Sequence, residues 1–431
     1  MPKAVVLGAY GLIGSACCRA LQAAGFSVTA VGRSKAAASR SLPDVDWIFL
    51  DLAATSPETW TPLLAGADVV VNAAGALQDG ARDSLRGIHE AAVASLVAGL
   101  GGASCRLVQI SAAGVSADAP TEFLRSKARG DASVMASGLD WVILRPTLVL
   151  GSQAYGGTAL LRASAAVPLV QLCVFADAPV QTVWVGDVAR AVVDAAQRRI
   201  PAGTVADLTE PASRTLAETQ VRLRSWLGFP PWRYALTVPR ALTQLLGRAA
   251  DALGWLGWRA PLRSTALRTL ERGITGEAEP WVLAGGRRCR SLEETLAILP
   301  ATAQERLFAR AFLLLPLAVA TLALFWIVSG CIGLLRYDAS LAVLLERGVP
   351  RMPAAAAVGI GGLLDVALGA GVLYRPLARS ACLGMVALSA VYVLAAAALT
   401  PDLWLDPLGP MLKVLPGMVL ALVTAALLEP R

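Results

Sequence analysis

Histidine is almost missing from this chain: His89 is the only one in 431 residues. The seven cysteines form no CxxC pair, and Cys17 and Cys18 are neighbours that cannot easily bridge each other. A zinc site needs a cluster of such ligands, so no metal is expected. Charge is scarce as well, at 16% of residues against 56% hydrophobic, which is too apolar for an ordinary soluble enzyme. Only four of the 38 basic side chains are lysines (Lys3, Lys35, Lys127 and Lys413), so the net charge of +7 rests on arginine. Arginine richness can follow codon composition, which makes each lysine the more informative choice. The charge is spread over a greasy chain without a recognition module, and no nucleic acid is expected as a partner. No signal peptide is expected, because glycines interrupt the first apolar run.

That interruption is the most informative feature present. An apolar run at 4–7 leads into Gly8-Ala9-Tyr10-Gly11-Leu12-Ile13-Gly14 and then into a helical stretch from Ser15. A dinucleotide diphosphate needs this order: one glycine for the tight turn, one for close backbone approach, one for helix packing. The helix start then offers free N–H groups and its positive dipole end. An NAD-preferring site would place an acid about 20 residues on, against the ribose 2′-hydroxyl. No Asp or Glu occurs between Met1 and Pro43, and the second apolar run ends in Val31-Gly32-Arg33. A guanidinium there can pair with a 2′-phosphate, so NADP(H) is favoured over NAD(H). Asp51, next to Leu52, is placed to meet the adenine, and Asn72-Ala73-Ala74-Gly75 lets backbone pass close to the cofactor.

Short apolar runs at 4–7, 27–31, 47–50, 68–71, 106–110 and 141–144 alternate with helical stretches. They are rich in β-branched residues without clean alternation, as a parallel sheet covered on both faces requires. Further strands are expected at 181–185 and 205–208, and a helix at 215–227. The fold class is α/β, a Rossmann-type doubly wound parallel sheet occupying residues 1–229. Residues 230–306 change character. Nine arginines from Arg222 to Arg272 face only Asp251 and Glu271, with Trp226, Trp232, Trp255 and Trp258 among them. Leu242, Leu245, Leu246, Ala249, Leu253 and Leu256 fall at helical spacing opposite Arg240, Gln244, Arg248 and Asp251, as on a helix lying on a membrane surface. A helix capping the substrate side is the plainer alternative.

Residues 307–431 read as an all-α four-helix transmembrane bundle with spans at about 311–335, 354–374, 380–401 and 408–428. The first and third carry no charge; Asp365 interrupts the second and Lys413 lies near the start of the fourth. An intramembrane acid should face the bundle and find a partner, whereas Lys413 can snorkel from a helix end as an anchor. Arg375 and Arg379 sit in one short loop, Asp402 and Asp406 in another, which puts the former inside. The expectation is a multi-pass protein of the inner (cytoplasmic) membrane, with the nucleotide domain and both termini cytoplasmic and the lipid bilayer as partner.

The N-terminal part resembles the atypical or extended short-chain dehydrogenases/reductases, in the group similar to the NAD(P)H-binding accessory subunit of respiratory complex I. The stretches that carry the resemblance are the glycine turn, Asn72–Gly75, Ile110-Ser111-Ala112-Ala113, Ser126-Lys127-Ala128, Gly138 to Pro146 and Val183 to Ala189. They span about the first 210 residues. The tail is similar to the DoxX-like four-helix domain, through Trp326-Ile327-Val328-Ser329-Gly330 and Asp406-Pro407-Leu408-Gly409. The resemblance implies cofactor contacts from Gly8, Tyr10, Gly11, Leu12, Ile13, Gly14, Arg33, Asp51, Leu52, Ala73, Ala74, Gly75, Lys127 and Pro146.

It also implies catalysis by a Ser, a Tyr and a Lys four residues after the Tyr. Ser111 and Lys127 match, but Phe123 stands at the Tyr position and has no proton to give. Tyr155 lies on a loop that could reach a substrate, and His89 reads as a surface or packing residue. Two functions follow. One is a membrane-anchored oxidoreductase acting on a hydrophobic small molecule, such as a quinone or isoprenoid. The other is a non-catalytic NADP(H)-binding protein that senses redox state or organises a membrane protein complex. Titrating Arg33→Ala with both coenzymes tests the 2′-phosphate argument: NADPH affinity falls by tenfold or more while NADH affinity barely moves, since a charge-assisted pair is worth about 1.5–3 kcal/mol. Equal losses would remove that argument.

Overall fold

The structure, a computed structural model, describes residues 1–80, 84–102, 104–258, 262–407 and 409–428. It divides into two compact units: Met1–Ala252 with Ala260–Ala309, and Leu253–Arg259 with Arg310–Arg431.

The first unit is built on a seven-stranded sheet. Its strands are β1 (Lys3–Leu7), β2 (Ser27–Gly32), β3 (Asp46–Phe49), β4 (Val69–Asn72), β5 (Arg106–Ile110), β6 (Asp140–Pro146) and the edge strand Thr204–Leu208. Spatial order runs from the edge strand through β6, β5, β4, β1 and β2 to β3, and every pairing is parallel. β4 and β5 are buried along their whole length, which explains the unbroken apolar runs in the sequence. One face packs on helices Leu12–Ala23 and Val185–Ala196 through Cys17, Cys18, Leu21, Val188 and Val192. The other face packs on Trp60, Leu64, Val93, Leu96 and Val134. Burying each such large side chain stabilises by roughly 1.5–3 kcal/mol. Strand order reverses between β1 and β4, so their carboxyl ends open a crevice, and both expected cofactor loops start there.

The expected strand at 181–185 is shorter: Thr182–Trp184 pairs with Leu148–Leu150 outside the main sheet, and Val185 already starts a helix. Helix Leu216–Trp226 opens with a reciprocal cap between Thr215 and Glu218. Strand Tyr234–Thr237 pairs in parallel with Val170–Cys173 and leads into helix Arg240–Trp255. That helix turns small and polar residues inward, with Thr243, Gly247 and Ala250 buried, and leaves Leu242, Leu245 and Leu246 exposed. Leu245 keeps 63% of its surface accessible.

In the second unit, among the described residues, three helices are long and apolar enough to cross a membrane: Ala303–Leu335, which starts in the first unit, Arg351–Leu373 and Ala378–Leu399. The fourth expected span, 408–428, is not a helix of that length. Val414–Leu427 has 14 residues, about 21 Å at 1.5 Å each, against a hydrocarbon core of about 30 Å. Gly409 at φ +58° and Pro410 open a run of turns that lasts until Lys413, and Pro416 falls in the first turn of the helix that follows; Leu408 itself lies outside the described residues. Asp365 does find a partner, since the Tyr392 hydroxyl donates to its Oδ1 at 2.9 Å. Trp258 donates from Nε1 to the Leu373 carbonyl at 2.6 Å, and the Arg375 amide donates to Leu256 O at 3.0 Å. The Arg375 guanidinium lies 5.5 Å from the centre of the Trp258 ring. These contacts hold residues 256–258 to the loop between the second and third of the long helices.

Candidate functional site

The turn after β1 carries out geometrically what its glycines promise. Gly8 has φ +70°, and a Cβ there would lie 2.8 Å from the Ala74 Cα, so the first loop and the β4 loop touch backbone to backbone. A Cβ on Gly14 would lie 2.3 Å from the Gly8 carbonyl oxygen. Helix Leu12–Ala23 then begins at Gly11 with no side-chain cap and no acid in its first turn. Its leading N–H groups and dipole are thus left for an anion. That is the fit a coenzyme diphosphate demands. Leu12 and Ile13 supply the first amides, and the Leu12 side chain leans toward Gly151.

Around this turn, Tyr10 packs flat over Gly32 and stacks on Trp47 with ring centroids 6.1 Å apart; Trp47 in turn stacks on Phe49. Arg33 is exposed one residue beyond β2, and Lys35 follows on the first turn of helix Lys35–Ser41 with its ammonium 5.7 Å from the Phe49 ring. Asp51 caps the short turn Leu52–Ala54, accepting from Ala53 N at 3.1 Å. After β4, Asn72 is buried and shapes the next loop: its Oδ1 accepts from Ala74 N and its Nδ2 donates to Gln109. Ala73 and Ala74 are half-buried, and Gly75 is exposed.

Ser111 and Lys127 come together with three residues that sequence reasoning had missed or undervalued. The Lys127 ammonium is buried beneath the Gly75 loop and donates to the Ile110 carbonyl at 3.1 Å. Burial brings it down to about 8, with Asp131 pulling the other way. Ser111 donates to Asp131 Oδ2 at 2.8 Å, and Arg145 pairs with the same oxygen at 3.0 Å. Asp131 is fully buried, which pushes its carboxyl up, and its Oδ1 has no partner among the described residues. Its position one helical turn after Lys127 was the only signal available. Phe123 occupies the turn before Lys127, its ring 5.9 Å from the ammonium. Pro146 is buried at the end of β6, its carbonyl accepting from Ala113 N.

His89 is a packing residue, but at the centre of this site. Its Nε2 accepts from Ala76 N at 3.2 Å, so its Nδ1 carries the proton that reaches Ser126 Oγ at 2.9 Å. The ring meets Phe123 edge-on, centroids 5.7 Å apart. A π-helical turn, Gly87–Ala91, sets it there, and Gly130 makes room: a Cβ on Gly130 would lie 2.1 Å from the His89 carbonyl oxygen. Tyr155 is 59% exposed at the start of helix Gly156–Ala165. The described residues contain no metal-binding cluster of His, Cys, Asp and Glu.

With this geometry in place, comparison with known proteins is informative. Residues 8–199 match the NAD(P)H-binding family and residues 323–422 the DoxX-like family. The chain also superposes on solved structures. The Bordetella bronchiseptica enzyme WbmH, in complex with NAD+, is 17% identical at a TM-score of 0.52, covering 69% of this chain and 97% of its own. The UDP-glucuronic acid 4-epimerase from Bacillus cereus, in complex with NAD, is 15% identical at 0.52, covering 72% and 99%. The terminal R domain from the myxalamid PKS-NRPS biosynthetic pathway is 16% identical at 0.53, covering 72% and 92%. At such identities the likeness establishes the fold. Comparison with curated proteins gives no match. The chain therefore joins an NAD(P)H-binding domain of Rossmann-type fold to a DoxX-like domain that contains helices long and apolar enough to cross a membrane.

Burial and the Lys127 charge bring His89 down to about 2, far below its ordinary value. The unfolded chain takes up a proton as pH falls through about 6.5, while the folded one stays neutral. Stability is therefore lost with falling pH in that window, by up to about 1.4 kcal/mol per pH unit. Thermal melts of detergent-solubilised protein between about pH 7 and 5.5 show a falling Tm that His89→Gln flattens; an unchanged slope in the variant would contradict this.

Proposed function

We propose that the protein is a membrane-anchored, NADP(H)-dependent oxidoreductase that acts on a lipid-soluble acceptor of the quinone or isoprenoid-like class. The bound coenzyme supplies hydride. The observation that carries the reading is Phe123 standing between a buried lysine and a buried histidine, in a site that otherwise keeps its polar groups. Reducing a simple carbonyl leaves an alkoxide, as basic as hydroxide (water pKa about 16), and needs a strong local acid. Reducing a quinone leaves a phenolate-like oxygen, whose conjugate acid titrates near 10. Such an acceptor tolerates the loss of the tyrosine.

In this reading Ser111, held by Asp131, contacts the acceptor oxygen, and Lys127 holds the nicotinamide ribose and favours negative charge beside it. The amides of Leu12 and Ile13, with Gly8, Tyr10, Gly11 and Gly14, cradle the diphosphate. Arg33 takes the 2′-phosphate, Asp51 and Leu52 border the adenine, and Ala73, Ala74, Gly75 and Pro146 line the rest. His89 stays neutral and holds the Gly75–Ala76 backbone in place. The exposed leucines of helix Arg240–Trp255 support an interfacial role for residues 230–306. Arg375 and Arg379, together in one short loop, support placing that loop, the nucleotide domain and the N-terminus on the cytoplasmic side of the inner membrane.

A second reading, a non-catalytic NADP(H) sensor or assembly protein of a membrane complex, also draws on Phe123. NADPH oxidation by the full-length protein in detergent, followed with quinone and aldehyde acceptors, separates the two. Turnover with quinone and none with aldehyde is expected, and Phe123→Tyr gains aldehyde reduction by about 10²-fold or more. Tight binding without turnover on any acceptor would overturn the oxidoreductase reading in favour of the second.

A further inference from the structure

Between helix Arg240–Trp255 and helix Ser264–Glu271 lies a cavity of about 360 Å³, the size of a small-ligand site. Three arginines line it, Arg240, Arg248 and Arg268, against a single carboxylate, Glu271. Thr243 and Ser264 add hydroxyls. Arg240 reaches Glu271 at 3.3 Å and Arg268 donates to Ser264 Oγ at 3.2 Å, so the charges are gathered around one space with an excess of two positive. The same helix exposes Leu242, Leu245 and Leu246, and the strand leading into it exposes Tyr234 and Leu236. An apolar surface beside a cationic hollow matches an amphiphile with an anionic head.

We propose that this cavity binds the phosphate group of an anionic bilayer lipid while Leu242, Leu245 and Leu246 enter the acyl region. The proposal rests on the interfacial reading of residues 230–306 and not on turnover. Opposite charge and the exposed leucines argue for lipid as the occupant. The site is also wired to the coenzyme crevice. Asp251 Oδ1 accepts from Gln78 Nε2 at 2.8 Å and from Ser264 N at 3.2 Å, and Arg263 donates to the Asp79 carbonyl. Gln78 and Asp79 lie a few residues beyond Gly75, so the helix pair that frames the cavity also holds the loop bordering the nicotinamide side.

The test uses delipidated full-length protein in detergent, titrated calorimetrically with dihexanoyl phosphatidate, dihexanoyl phosphatidylcholine and inorganic phosphate. A cooperative thermal melt on each sample is the check on folding, and NADPH binding is measured alongside it. Saturable binding of the phosphatidate is expected, at least tenfold tighter than inorganic phosphate or the zwitterionic lipid. Arg248→Ala with Arg268→Ala weakens it by tenfold or more, and Leu245→Ser weakens the phosphatidate without changing phosphate; NADPH affinity holds in both variants. Equal affinity for phosphatidate and inorganic phosphate would reduce the cavity to a free-anion site. Unchanged phosphatidate affinity in the double arginine variant would overturn the assignment outright. Loss of NADPH binding in the wild type would instead strike the coenzyme reading alone.

Discussion

A helix that starts bare, with positive charge at its tip and no side chain to satisfy it, is the constraint around which the first unit is organised. Helix Leu12–Ala23 begins where β1 ends, at the point of the sheet where strand order reverses. Gly8 and Gly14 remove the atoms that would keep the turn away from the β4 loop and the helix away from the strand. The cost of leaving several amide donors without a protein partner is offset when an anion arrives, and a dinucleotide carries that anion in its middle. Arg33, Asp51 and the Asn72–Gly75 loop follow the carboxyl ends of β2, β3 and β4 on the same edge of the sheet.

A second constraint is solvent. In water a helix gains by hiding leucines, yet Arg240–Trp255 hides Thr243, Gly247 and Ala250 and presents leucines outward. That arrangement is what the interfacial reading proposed above draws on. In the second unit the three long apolar helices fit an apolar surrounding, and the Asp365–Tyr392 hydrogen bond shows a buried polar group being met internally.

How much of this could be read from the residues depended on how local each cause is. The glycine turn, the six strand runs of the main sheet and the helix expected at 215–227 are dictated by neighbours in sequence, and they appear where the pattern puts them. Ser111 and Lys127 are recognisable by resemblance, and Phe123 by its misfit. Asp131 and His89 were harder. Their roles depend on Arg145, Ser126 and Ala76, which only the fold brings near, so a lone histidine and a mid-helix acid looked ordinary. Hydropathy marked the apolar stretch at 408–428 but not where its helix starts: the chain stays in turns through Lys413, and helix Val414–Leu427 follows. The helical spacing of the leucines around Arg240 was visible, while the identity of the face turned inward was not.

Calorimetric titration of NADPH into folded, full-length protein addresses the central claim most directly. Saturable binding at one coenzyme per chain, displaced by excess pyrophosphate, is what an open helix start after β1 predicts. No saturable heat from NADPH, NADP+, NADH or NAD+ in material with a cooperative melt would contradict it.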